Sequence, residues 1–175
     1  MALSYGTTGI KQKSWRVYIA ASDTAGLDDT FDSLITNPAT DVIDEIMDDM
    51  SELGECRDDS ISVTGEDGES IAGNIVGNIT INKACSMTAE LINFTQDNID
   101  TLDVLDGTSV SVMLVERDSH QVGSDDYKTA IIIRSKNLSY SENITGGDTG
   151  RGTITLSGTP RKITGFRTIL DCEVV

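Results

Sequence analysis

Few residues in this chain are suited to chemistry. His120 is its single histidine, and its three cysteines, Cys56, Cys85 and Cys172, stand far apart. His120 lies in a polar run over 117–126 that reads as a solvated loop. Folding can bring a distant serine or cysteine beside a histidine, but neither a nucleophile elbow nor a cysteine-protease signature accompanies this one. One histidine and three scattered cysteines make a poor transition-metal set. The glycine-rich stretch at 146–152 lacks the Gly-Lys-Ser/Thr ending of a phosphate loop and leads into a strand pattern, not a helix, so it reads as a flexible interstrand loop. Around Asp67-Gly68 the alternating carboxylates of a calcium loop are missing, with Val63 and Gly65 where earlier ligands would stand. The sequence predicts no catalytic residue, no cofactor and no metal ligand set.

Charge narrows the partners. Across 175 residues, 13 Lys and Arg face 29 Asp and Glu, a net of −16. Phosphate recognition draws on Lys and Arg, so a basic nucleic-acid reader is excluded, and the same surplus opposes an anionic membrane surface. No run approaches the ~18 apolar residues of a membrane-spanning helix. The first ten residues lack a continuous apolar core, so no secretory leader is predicted. An odd number of widely spaced cysteines predicts reduced thiols, with Cys85 and Cys172 as small core residues. Hydrophobic residues at 38% and 16 glycines fit one globular domain.

The charge is uneven. Thirteen acids and one base, Arg57, fall within 23–59, whereas the first 22 residues carry only Lys11, Lys13 and Arg16. Most of the remainder alternates with a period of two, the signature of half-buried strands. Trp15, Val17 and Ile19 share a face, as do Ile61 and Val63, then Ile79 and Ile81, then Cys85, Met87, Ala89 and Leu91. The register changes at Ile92 and Phe94, a bulge or a strand buried on both faces. Val110, Val112 and Leu114 form another face; Ala130 to Ile133 reads as a central strand buried on both sides; Ile154 and Leu156 follow. Phe166, Thr168, Leu170, Cys172 and Val174 alternate to the end.

Two segments read as helices. Ile99, Leu102 and Leu105 recur every three residues behind possible caps at 95–98, and Asp106-Gly107 closes that helix. After Asn37-Pro38, the residues Val42, Ile43, Ile46, Met47 and Met50 make an apolar stripe opposite Asp41, Asp44, Glu45, Asp48 and Asp49. An isolated acidic helix has no use for such a stripe. The five residues are therefore candidates for an assembly interface, on an arm at 22–57 that packs against a neighbouring subunit. The alternative is a helix folded onto its own β core; the bases Lys11, Lys13, Arg16 and Arg161-Lys162 are the electrostatic partners expected for the helix's acidic face.

A Trp-bearing first strand, the acidic insert, Ser60 to Val63 with its turn at 66–68, and a long strand running to Phe94 stand in that order. The short helix at 98–105, the run from Gly107 to Val115, and Gly152-Thr153-Ile154-Thr155-Leu156-Ser157-Gly158-Thr159-Pro160 before a last strand complete the series. The arrangement resembles the bacteriophage tail tube (major tail) proteins over the first strand and residues 58–175; the insert at 22–57 departs from their compact core. The resemblance implies a mainly β fold, an antiparallel two-sheet sandwich or flattened barrel with a short flanking helix. It divides the chain into an N-terminal segment and first strand (1–21), an acidic insert or arm (22–57) and a β core (58–175). It further implies a structural, non-enzymatic subunit of the virion tail, assembled in the bacterial host cytoplasm. Six copies would form a ring, with inner sheets joined edge to edge, and rings would stack around a negatively charged channel. DNA would pass without specific binding, and the partners would be other copies and the tail proteins at the tube ends. Three further readings stay open: another tail or neck component or the tube of a phage-derived injection machine, an acidic calcium-binding β-sandwich module, and an enzyme.

Overall fold

In the computed structural model, residues 14–57, 62–65, 69–73, 77–81, 85–91, 95–145, 151–160 and 167–174 are described. Lys11 and Lys13, Ile61, the turn at 66–68, the register change at 92–94, the glycine loop at 146–150, Arg161-Lys162 and Phe166 lie outside the described residues, as does the side chain of Cys85.

The alternating segments form strands in the order the pattern requires. β1 (Ser14–Ala21) is followed by α1 (Leu27–Thr36), α2 (Thr40–Asp48) and β2 (Ser51–Arg57). Next come β3 (Ser62–Gly65), β4 (Glu69–Gly73), β5 (Gly77–Ile81), β6 (Cys85–Leu91) and α3 (Gln96–Leu105). β7 (Val110–Glu116), β8 (His120–Val122), β9 (Asp125–Thr145), β10 (Arg151–Pro160) and β11 (Arg167–Glu173) complete the chain. The pairing is antiparallel and runs β10-β6-β2-β1-β7-β9-β11, with β3 on β6 and β8 on β9; β4 and β5 pair separately.

The fold is mainly β, as expected, and its centre is a closed six-strand antiparallel barrel. β9 makes the closure possible. At 21 residues it far exceeds the usual strand of about 5–6. Its first half pairs with β7 on one side and β11 on the other, and its second half pairs with β10. Gly158 lies where the β9–β10 register shifts; a Cβ there would meet the Ser135 hydroxyl and the Lys136 carbonyl oxygen at 2.8 Å. Only glycine lets the two backbones approach that closely.

Two apolar clusters divide the core by side-chain parity. Trp15, Val17 and Ile19 of β1 point inward, with Val110, Val112 and Leu114 of β7, Met87, Ala89 and Leu91 of β6, and Ile154 and Leu156 of β10. Leu102 and Leu105 of α3 join this inward cluster. The opposite parity of the same sheet, Tyr18, Ala20, Met113, Val115, Ala130 and Ile132, forms a second cluster with Leu27, Phe31 and Leu34 of α1 and Ile43 and Ile46 of α2. Every residue of β7 is consequently buried.

The acidic insert is where the structure departs most from expectation. It contains a further helix, α1, whose Leu27, Phe31 and Leu34 repeat at helical spacing. Its last part is strand β2, which pairs with β1 through a bulge at Gly54, whose φ of 133° suits glycine. The stretch 51–57 thus belongs to the barrel, and 22–50 forms a helical layer on the barrel's outer face.

Candidate functional site

Side chains able to do chemistry are dispersed. His120 lies on β8, part of a hairpin turned at Gly123, where a plain loop was expected. Its Nδ1 sits 3.0 Å from Oε2 of Glu116, which is 4% exposed and also accepts the Thr129 backbone N–H at 3.2 Å. The imidazole therefore anchors a hairpin and is not freely solvated. Cys56 is buried inside the barrel, with its thiol 3.7 Å from the Trp15 carbonyl oxygen. Cys172 is buried on the outer face, where burial, then the Asp171 charge, pushes its thiol up to about 11. Such a thiol stays protonated at neutral pH and is a poor nucleophile. Among the described residues no three His, Cys, Asp or Glu side chains are grouped to hold a metal ion.

The five interface candidates are placed inside the subunit. Ile46 is 0% exposed and Ile43 2%, both in the outer-face cluster; Val42, Met47 and Met50 are half-buried against it. In place of an arm waiting for a neighbour, α2 uses its stripe on its own barrel. Burial of each such side chain contributes roughly 1.5–3 kcal/mol, which the barrel face supplies without a partner. The acidic face of α2 is left in solvent.

A group that the sequence reading did not single out fixes this layer. Arg134 of β9 is 2% exposed, with its guanidinium 5.4 Å from the centre of the Phe31 ring. Its Nη2 donates to Asp32 at 3.1 Å, and its Nε lies 3.9 Å from Asp28. A buried cation needs paired carboxylates, and α1 brings two of them. The signal was parity: Arg134 shares a face with Ala130 and Ile132, the face under the helices. At the far end of the sheet Arg16 and Arg117 both pair with Glu55, each at 3.5 Å. The Tyr18 hydroxyl chiefly raises Arg16, while burial raises Tyr18.

What remains open are strand edges. β11 carries the sheet one strand beyond the barrel, and among the described residues its outer edge meets only the isolated bridge of Ala39 to Glu173. Ile169, opposite Ile131 in the ladder, is 62% exposed because β11 lies outside the closed barrel. The second half of β9 has β10 on one side, and no strand pairs with its other side over 139–145 among the described residues. There Ser139, Ser141, Glu142 and Asn143 are exposed.

No protein-family model matches the chain, and no curated protein matches it.

Proposed function

We propose that the chain is a self-assembling structural subunit of the bacteriophage tail tube kind. In this reading six copies close into a ring, rings stack, and the barrel flattens into two facing layers, the inner one lining a channel through which DNA passes. The observation that carries it is a pair of strand edges, the outer edge of β11 and the second half of β9, that no strand covers among the described residues, on an otherwise closed barrel. An exposed strand edge is a liability in a monomer and a joining device in a ring. The acid surplus supports the same reading, because a negative wall repels phosphates and lets a genome slide without adhering.

Negative-stain microscopy of the purified protein, over a concentration series and with the tail-end proteins added, tests this directly. Rings or tubes with a central channel are expected. Dispersed monomers under every condition would overturn it.

A further inference from the structure

The outer edge of β11 is open from Arg167 to Asp171 among the described residues, and its hydrogen bonds fix which backbone groups it offers. Val174 N–H donates to the Asp126 carbonyl oxygen on the β9 side, at 2.8 Å, whereas Glu173 N–H donates outward, to the Pro38 carbonyl oxygen at 3.3 Å. Alternate residues of an antiparallel strand bond to opposite neighbours. Leu170 and Cys172 therefore serve the ladder with β9, and positions 167, 169 and 171 present their N–H and C=O groups to the open side. Ile169 and Asp171 share one face of the sheet, where Ile169 is 62% exposed and the Asp171 carboxylate accepts the Thr129 hydroxyl at 3.0 Å.

Such an edge accepts a strand of matching phase, and β11 itself is one. Positions whose N–H and C=O groups point outward must face one another across the new ladder. With Ile169 opposite Ile169 of an antiparallel second copy, position 167 falls opposite position 171 on both sides of the two-fold axis. Arginine then stands across from aspartate twice, with isoleucine against isoleucine between them. Opposite charges and apolar pairs placed directly across a ladder stabilise it. The neighbouring registers fail. A two-fold axis at Leu170 sets position 167 against Glu173, whose N–H is already held by Pro38, and one at Asp171 sets aspartate against aspartate.

We infer that, outside a ring, β11 pairs antiparallel with β11 of a second copy in the register centred on Ile169. The contact is isologous, so it closes on two copies and does not propagate. It goes beyond the ring reading and does not rest on it: a β11 edge held in this way is withheld from a ring. Residues 167–171 alone cover less than the ~1,200–2,000 Å² of a stable interface, so the dimer is concentration-dependent.

Disulfide trapping and sedimentation equilibrium, below the concentration at which rings form, test it. Directly opposed Cα atoms of a hydrogen-bonded pair lie about 5.5 Å apart, within disulfide reach, so Ile169→Cys treated with diamide should give a covalent dimer on non-reducing gels. Asp171→Cys has no cysteine opposite it in this register and should give no more dimer than wild type, whose Cys56 and Cys172 are buried. In sedimentation, Arg167→Asp and Asp171→Arg should each raise the dissociation constant about tenfold or more. The variant with both changes should return it to near the wild-type value, which separates a broken contact from a broken fold. Trapping at 171 as strong as at 169, wild-type affinity in either single variant, or no recovery in the double variant overturns the proposal. A wild-type protein that forms rings but no dimer at any lower concentration overturns it and leaves the ring reading intact; a dimer that never yields rings does the reverse.

Discussion

β9 is one strand with two fates. Its first half, through Ala130, Ile132, Ile133, Arg134 and Ser135, is buried, with β7 and β11 on its edges and helices over its outer face. Its second half is exposed at Ser139, Ser141, Glu142 and Asn143, and among the described residues it pairs with β10 alone. The backbone is continuous, so strand formation does not explain the difference. What differs is how many sides of the strand are covered. A strand covered on both faces needs apolar residues at both parities, and Ile131-Ile132-Ile133 provides them; in the second half Leu138 and Tyr140 face the barrel core at one parity, while Ser139, Ser141 and Asn143 leave the other polar.

The strongest way to break this comparison is proline. At Ile132 the strand has neighbours on both edges, so Ile132→Pro removes a ladder donor or forces a neighbour away, and a loss of about 3 kcal/mol or more is expected. By contrast, Ser141→Ala should change stability by no more than about 0.5 kcal/mol. Chemical denaturation of both variants checks the pair. Equal losses would mean that the two halves are not distinct.

A narrower test concerns Arg134, the charge within the buried half. Removing its partners, Asp28→Ala with Asp32→Ala, strands a buried cation and should cost about 3 kcal/mol. Arg134→Met leaves the two aspartates in contact with water and fills the space beside Phe31, so it should cost clearly less. Thermal melts of the two variants should order them in that way. A larger loss in Arg134→Met would show that the guanidinium contributes more than its desolvation costs.

The smallest expected effect belongs to the exposed half. Tyr140 donates its hydroxyl to Asp103 of α3, and that bond, ahead of burial, pushes the phenol up to about 12. An acid raised in the folded state stabilises below its unfolded value and loses that contribution as pH rises to the folded one. The bond should therefore weaken between about pH 10, the ordinary tyrosine value, and about 12. Melting temperature should fall across that window, and less so in Tyr140→Phe. An identical decline in both proteins would refute the assignment.

Much of the outline was legible in the sequence because it is written locally. The alternations that define β1, β6, β7 and β10, and the stripe of α2, need only neighbours a few residues away. α1 was missed although Leu27, Phe31 and Leu34 carry its spacing, because the acids around them, Asp23, Asp28, Asp29 and Asp32, made the stretch read as part of an acidic arm. β2 was missed because Ser51 to Arg57 has two apolar residues inside, Leu53 and Cys56, split by a bulge that breaks the period of two. His120 was read as solvated because the carboxylate that holds it, Glu116, is brought near by a hairpin rather than announced by a motif.

The sequence alone determined the mainly β character, the acid surplus, the apolar parity of the strands and the amphipathic stripe at Val42 to Met50. These follow from residue type and short-range spacing. Tertiary structure decided which surface each apolar face would meet. It closed the sheet because β9 is long enough to reach both β7 and β10, and it turned the stripe of α2 onto the chain's own barrel. It also buried Arg134 where α1 could deliver two aspartates. Those outcomes depend on contacts between residues as much as 102 positions apart, as Arg134 and Asp32 are, and no local pattern encodes which of several complementary surfaces will be within reach.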